Sequence, residues 1–110
     1  MTIEALNEQA MSMIVHAGNA RDLLNKALDA LYEGNETEYE EKMKASKKEM
    51  IAAHAAQTSV LQETITDSDL KLTILFTHAQ DTLMTVMSEI NTAKHLAKIL
   101  RKITEIKNAQ

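Results

Sequence analysis

The chain has no cysteine, no proline, only two glycines (Gly18 and Gly34) and 3% aromatic residues among its 110. Without cysteine there are no disulfides and no thiol chemistry, as suits a reducing interior. β-Sandwiches and barrels draw on turn residues roughly every 8–12 positions, and this chain has too few to supply them. All-α is the class left, with a core of Leu, Ile, Ala and seven methionines. Those methionines can fill irregular gaps or form an adaptable contact surface. A basic stripe is also missing: net charge is −4, and Lys and Arg are spread along the chain. Nucleic acid, whose phosphates must be neutralised, is excluded as a partner on that ground. No apolar run approaches the ~20 residues that span a bilayer, and Met1-Thr2-Ile3-Glu4 lacks both the basic start and the apolar run of a signal peptide. The chain therefore reads as soluble and cytoplasmic, with no direct membrane insertion. Its length is that of a single domain, 1–110, able to bury roughly 65% of its unfolded surface.

What is present is helical periodicity. Ile3, Leu6, Ala10, Met13, Ala17, Ala20, Leu24, Ala27 and Leu31 follow alternating steps of three and four, the mark of a long helix packed at a shallow angle. Thr2 is the expected N-cap, and Gly34 is the expected left-handed residue after the helix end. Asn35 with Glu38 resembles a capping box and starts a second helix. Its inner face is thinner: Tyr39, Met43, Met50, Ala53, Val60 and Leu61. The charge run from Glu36 to Lys48 reads as a solvated face. Glu63-Thr64-Ile65-Thr66-Asp67-Ser68-Asp69 makes the second break, rich in residues that favour caps over helix interiors, and Asp67 or Ser68 is expected to cap the third helix. The helices are predicted at about 2–33, 36–62 and 68–107, arranged as an antiparallel three-helix bundle.

At 3.6 residues per turn the third helix separates two seams. Leu72, Phe76, Ala79, Leu83, Val86, Ile90, Ala93, Ala97 and Leu100 form an ordinary apolar stripe facing the other two helices. Opposite lie Leu70, Ile74, His78, Asp81, Thr85, Ser88, Thr92, His95, Ile99 and Ile103, aliphatic at the ends and small or polar between. Solvated positions on this helix carry Lys94, Lys98 and Arg101, so the second seam reads as buried by another copy of the chain. Closed symmetric assemblies are the usual outcome for such a patch. Around a closed axis the Asp81 carboxylates would gather, and buried like charges require a proton or a metal ion. Hard divalent cations suit oxygen ligands, whereas zinc lacks both Cys and a His-x3-His pair here.

Four histidines remain to be weighed. His16 and His54 sit beside alanines without an acid at helical spacing, and both read as structural or surface groups. His95 lies on the polar seam and reads as a hydrogen-bonding group across an interface. His78 combines an apolar flank, Asp81 one turn on, and the amide of Gln80. Asp81 is spaced to orient that imidazole or, gathered around a closed axis, to hold a metal. No Gly-rich loop cradles a nucleotide phosphate, and no serine nucleophile motif occurs. A lone neutral imidazole can itself accept a phosphoryl group from another protein. The alternative is a non-catalytic, metal-binding helical oligomerisation module.

His78-Ala79-Gln80-Asp81-Thr82-Leu83-Met84-Thr85, preceded by Leu75-Phe76, closely resembles the active-site segment of the IIA component of the lactose/cellobiose (chitobiose) class of the bacterial sugar phosphotransferase system. Gly18-Asn19-Ala20-Arg21 and Ala52-Ala53-His54-Ala55-Ala56-Gln57-Thr58 resemble two further family segments, so the match spans essentially the whole chain. The resemblance implies a homotrimer of three-helix subunits assembled through the third helix. It implies His78 as the catalytic phosphohistidine, modified on Nε2, and Asp81 as ligand to a divalent metal at the trimer axis, taken as magnesium (Mg2+). It implies HPr as phosphoryl donor and a cysteine of the sugar-specific IIB component as acceptor, for uptake of a disaccharide. Gln80 projects about 200° from His78 on its own helix, so it is expected to act at a neighbouring subunit's phosphohistidine or at the partner surface. Met84 and Met87 lie on that outer side as a candidate docking surface.

Overall fold

A computed structural model describes residues 1–110 as three helices and no strand: α1 (Ile3–Tyr32), α2 (Glu36–Thr66) and α3 (Ile74–Ala109). They form a rod of 65 × 18 × 17 Å. Thr2 caps α1 by accepting the Ala5 N–H at 3.0 Å. At the other end Gly34 takes φ 85°, a conformation a side chain would strain. Its N–H donates to the Leu31 carbonyl at 3.0 Å, and the Asn35 N–H reaches Ala30 at 2.8 Å. These two bonds close the Schellman motif that turns the chain into α2. Asn35 then caps α2 through the Glu38 N–H at 3.1 Å. The predicted starts of α1 and α2 and the first turn therefore stand as read.

Cross-helix contacts show which ends meet. The Met1 ammonium lies 3.5 Å from Glu63 Oε2, joining the start of α1 to the end of α2. Thr73 donates to Asn7 Oδ1 at 2.7 Å, and Arg21 holds Glu89 with Nη2–Oε1 at 2.6 Å, so successive parts of α3 meet successive parts of α1. Arg101 meets Glu36 and Glu40 at 2.9 Å each, bringing the end of α3 to the start of α2. The α3 helix packs chiefly on α1 and touches α2 sparsely. The main core gathers Leu6, Ala10, Met13, Met50, Val60, Phe76, Leu83 and Val86, and a smaller cluster of Ala27, Leu31, Tyr39 and Ala97 fills the far end. Alanines dominate the middle of α1, which lets α2 and α3 lie close against it.

Every predicted inner position of α1 is buried except Ile3, which is 51% exposed at the helix start. Three expectations are corrected at the second break. The α2 helix continues to Thr66, and α3 begins at Ile74 rather than near 68. Its N-cap is Thr73, which accepts the Phe76 N–H at 3.2 Å, not Asp67 or Ser68. Asp67 instead closes an Asx turn on the Asp69 N–H at 3.1 Å. Leu72 consequently falls outside the helix and is exposed, as is Leu100 near the rod's end. The reason is tertiary: the second hydrogen bond of Thr73, to Asn7, fixes where α3 can start, and no local pattern contains it.

Candidate functional site

The site is set by how α3 is anchored. Thr73 fixes the first turn, while Phe76, Ala79, Leu83 and Val86 are fully buried against the other helices. At 100° per residue these anchors turn the opposite face outward. His78 and Asp81 stand on that outer face and are exposed, followed by exposed Thr85, Ser88, Thr92 and His95. Ile74 at one end is 90% exposed, and Ile99 and Ile103 at the other are each 56% exposed. A face with bare isoleucines at both ends and small polar groups between them is not covered within the chain.

His78 and Asp81 share this face, but no hydrogen bond or ion pair joins their side chains. The chain's one histidine ion pair is His16–Glu49. The Thr82 hydroxyl donates to the His78 carbonyl at 2.9 Å and the Thr85 hydroxyl to the Asp81 carbonyl at 2.7 Å. Both threonines are thereby occupied with backbone, leaving the imidazole and carboxylate unencumbered. Gln80 is half-buried on another side of the helix and makes no bond to His78. No set of three or more His, Asp or Glu side chains in the chain could enclose a metal ion. A single carboxylate encloses no site by itself, although hard divalent cations do take oxygen ligands, with waters filling the remaining positions. Asp81 is an oxygen donor of the right chemistry, exposed and without a side-chain partner in the chain.

Two of the other histidines are tied down. His16 Nδ1 lies 2.6 Å from Glu49 Oε2, an acid supplied by α2 and not by its own helix. His54 Nε2 lies 3.1 Å from Met87 Sδ. Met87 is thus drawn inward to pack against the core, and only Met84 of the expected methionine pair is freely exposed. His95 is exposed with no partner in the chain.

Several supporting residues escaped the sequence reading. Arg21, within Gly18-Asn19-Ala20-Arg21, forks onto Glu89 with Nε at 2.9 and 3.2 Å and ties α1 to α3 below the site. Ser46, the one buried polar side chain, donates to the Ala20 carbonyl at 2.9 Å. Arg101 stacks 5.3 Å from the centroid of the Tyr39 ring while binding Glu36 and Glu40. Its hydrogen bond holds the Glu36 carboxyl below the usual carboxylate range, and burial pushes the Tyr39 phenol up. Each pair is far apart in sequence, and the only advance signal was that Arg21 belonged to a recognisable segment.

The rod is matched by known proteins along nearly its full length. The profile of the family described as "PTS system, Lactose/Cellobiose specific IIA subunit" matches residues 8–101. The lactose-specific EIIA component of Lacticaseibacillus casei is 28% identical over 99% of this chain and 97% of its own. The lichenan-specific phosphotransferase enzyme IIA component of Bacillus subtilis is 30% identical over 96% of each. Among solved structures, PtcA from S. mutans superposes with a TM-score of 0.85 at 36% identity, covering 92% of this chain and 99% of that one. The chain belongs to the lactose/cellobiose-specific IIA family of the sugar phosphotransferase system. It is a phosphotransferase component, and phosphotransfer with protein partners is its class of activity.

Proposed function

We propose that the chain is a phosphoryl carrier whose imidazole at His78 is the relay atom, loaded by phospho-HPr and discharged to a cysteine of the IIB component. The observation that carries this reading is an exposed, unpaired His78 on a face of α3 that the rigid anchors Phe76, Ala79 and Leu83 hold outward. In the loading step the N–P bond of the HPr phosphohistidine breaks as Nε2 of His78 forms a new one, and the donor imidazole recovers its proton. In the discharge step the IIB thiolate attacks the phosphorus and the His78 imidazole leaves. Little covalent work falls on the protein beyond positioning and charge stabilisation.

The same outer face supports assembly of this antiparallel bundle as a homotrimer along α3. Apolar ends of the seam would be buried, and its small middle residues permit close approach. Asp81 of each subunit would then meet at the axis, where a divalent metal such as Mg2+ would offset carboxylate repulsion. Gln80, pointing away from its own histidine, would serve a neighbouring subunit's phosphohistidine or the docked partner. No helix is long and apolar enough to cross a membrane; the reading is of a cytoplasmic carrier of one domain serving uptake of a disaccharide.

The test is incubation with phosphoenolpyruvate, enzyme I and HPr. One acid-labile phosphate per chain is expected, and none on His78→Ala. Labelling that survives in His78→Ala would sink the assignment. Absence of any label on the parent chain, with loss of assembly in that variant, would favour a non-catalytic oligomerisation module.

A further inference from the structure

The joint between α2 and α3 is the least filled part of the bundle. A groove of about 570 Å3 opens there, within the roughly 300–1,000 Å3 of small-molecule pockets. Met43, Met50, Met87 and Ile90 supply its apolar floor, and unbranched thioethers adapt to irregular ligands. Two contacts fix how the helices face each other. His54 Nε2 lies 3.1 Å from Met87 Sδ at one end, and Arg101 Nη2 lies 2.9 Å from Glu36 Oε2 beyond the other. That register sets Lys94 level with the Lys44–Lys47 turn, so three cations gather at one end of the groove.

None of these three lysines has an ion-pair partner; the chain's one lysine ion pair is Lys102–Glu105. The single carboxylate in the lining, Glu40, is already held by Arg101 at 2.9 Å. Uncommitted like charges that converge repel one another unless an anion joins them. The chain carries −4 overall, so this cluster also runs against the net field. A thioether and imidazole together suit a soft cation, but three neighbouring ammonium groups oppose one. Charge decides for an anion.

We propose that the groove between α2 and α3 binds a small amphiphilic anion, its apolar body along the methionine floor toward His54 and its head between Lys44, Lys47 and Lys94. The inference is independent of phosphoryl transfer at His78, which lies on another face of α3. It is tested by calorimetric titration of the chain with decanoate, and with decyltrimethylammonium as the cation of equal chain length. One saturable decanoate site per chain is expected, with no saturable site for the cation. Lys47→Glu combined with Lys94→Glu is expected to weaken decanoate by about tenfold or more, with helicity by circular dichroism unchanged. Should charge reversal unfold the chain, Lys47→Gln with Lys94→Gln carries the same comparison through a smaller loss. The proposal is overturned by absence of saturable decanoate binding, by equal binding of the cation, or by a folded variant that binds decanoate normally. A variant with normal decanoate binding but impaired delivery of phosphate to IIB would assign the groove to a protein partner instead.

Discussion

The two faces of α3 are built from one continuous helix and do opposite work. The inner face carries the buried groups Phe76, Ala79, Leu83, Val86, Ala93 and Ala97, with half-buried Ile90 among them, packed chiefly on α1. The outer face carries Ile74, His78, Asp81, Ile99 and Ile103, all exposed and none with a side-chain partner in the chain. Stability lives on the first face, and the proposed phosphoryl carrier His78 stands on the second. A reacting group must be reached by partners, yet it must also be held still. A helix meets both demands because its buried stripe fixes the rotation of the exposed one.

Substitutions on the two faces should therefore separate folding from function. The largest stability effect is expected on the inner face: Phe76→Ala removes a fully buried ring and should cost about 3–5 kcal/mol in urea unfolding. His78→Ala, only two residues away, should shift unfolding by no more than about 0.5 kcal/mol while abolishing phosphate uptake. If both variants lost stability alike, the division between faces would be wrong. Next in size is Thr73→Ala, expected to cost about 1 kcal/mol through the lost cap, with fraying at the start of α3 visible in amide exchange.

On the outer face, Asp81→Leu should retain or strengthen assembly, because replacing clustered buried charge with apolar groups is often neutral or stabilising. Sedimentation showing dissociation to monomers would contradict the shared-carboxylate arrangement. The smallest effect concerns pH. Arg101 holds the Glu36 carboxyl below its usual 4.5, so the folded state binds this proton less readily than the unfolded chain. That contribution is present above the ordinary carboxylate range and is lost as pH falls through the depressed value. Arg101→Met should flatten the acid limb of a melting-temperature profile. An unchanged acid limb would mean that the pair does nothing for the fold.

Much of this was legible in advance. The 3–4 rhythm of α1 named Leu6, Ala10, Met13, Ala17, Ala20, Leu24, Ala27 and Leu31 as core, and all are buried. Gly34 and Asn35 marked the first turn because left-handed backbone and capping are local properties of the residue types. From Ile74 onward the two seams of α3 were readable because helix geometry assigns faces, but Leu70 and Leu72 lie before the helix and Leu100 is exposed. The second break was read less well. Its acidic and hydroxyl residues offered several caps of similar local merit, and the choice of Thr73 was made by Asn7 on another helix. The partners of His16 and His54 were likewise invisible, since Glu49 and Met87 lie on other helices.

The sequence by itself determined that the chain is helical, which stripe of each helix is apolar, and that His78 and Asp81 share one side of α3. These follow from backbone geometry and residue type over a few turns. Only the tertiary structure decided where α3 begins, that α3 leans on α1 and leaves a lysine-rimmed groove against α2, and that Arg21, Ser46 and Arg101 stitch the helices together. Those outcomes depend on side chains that meet across tens of residues of chain. Their energies come from mutual geometry, which periodicity along a single helix does not encode.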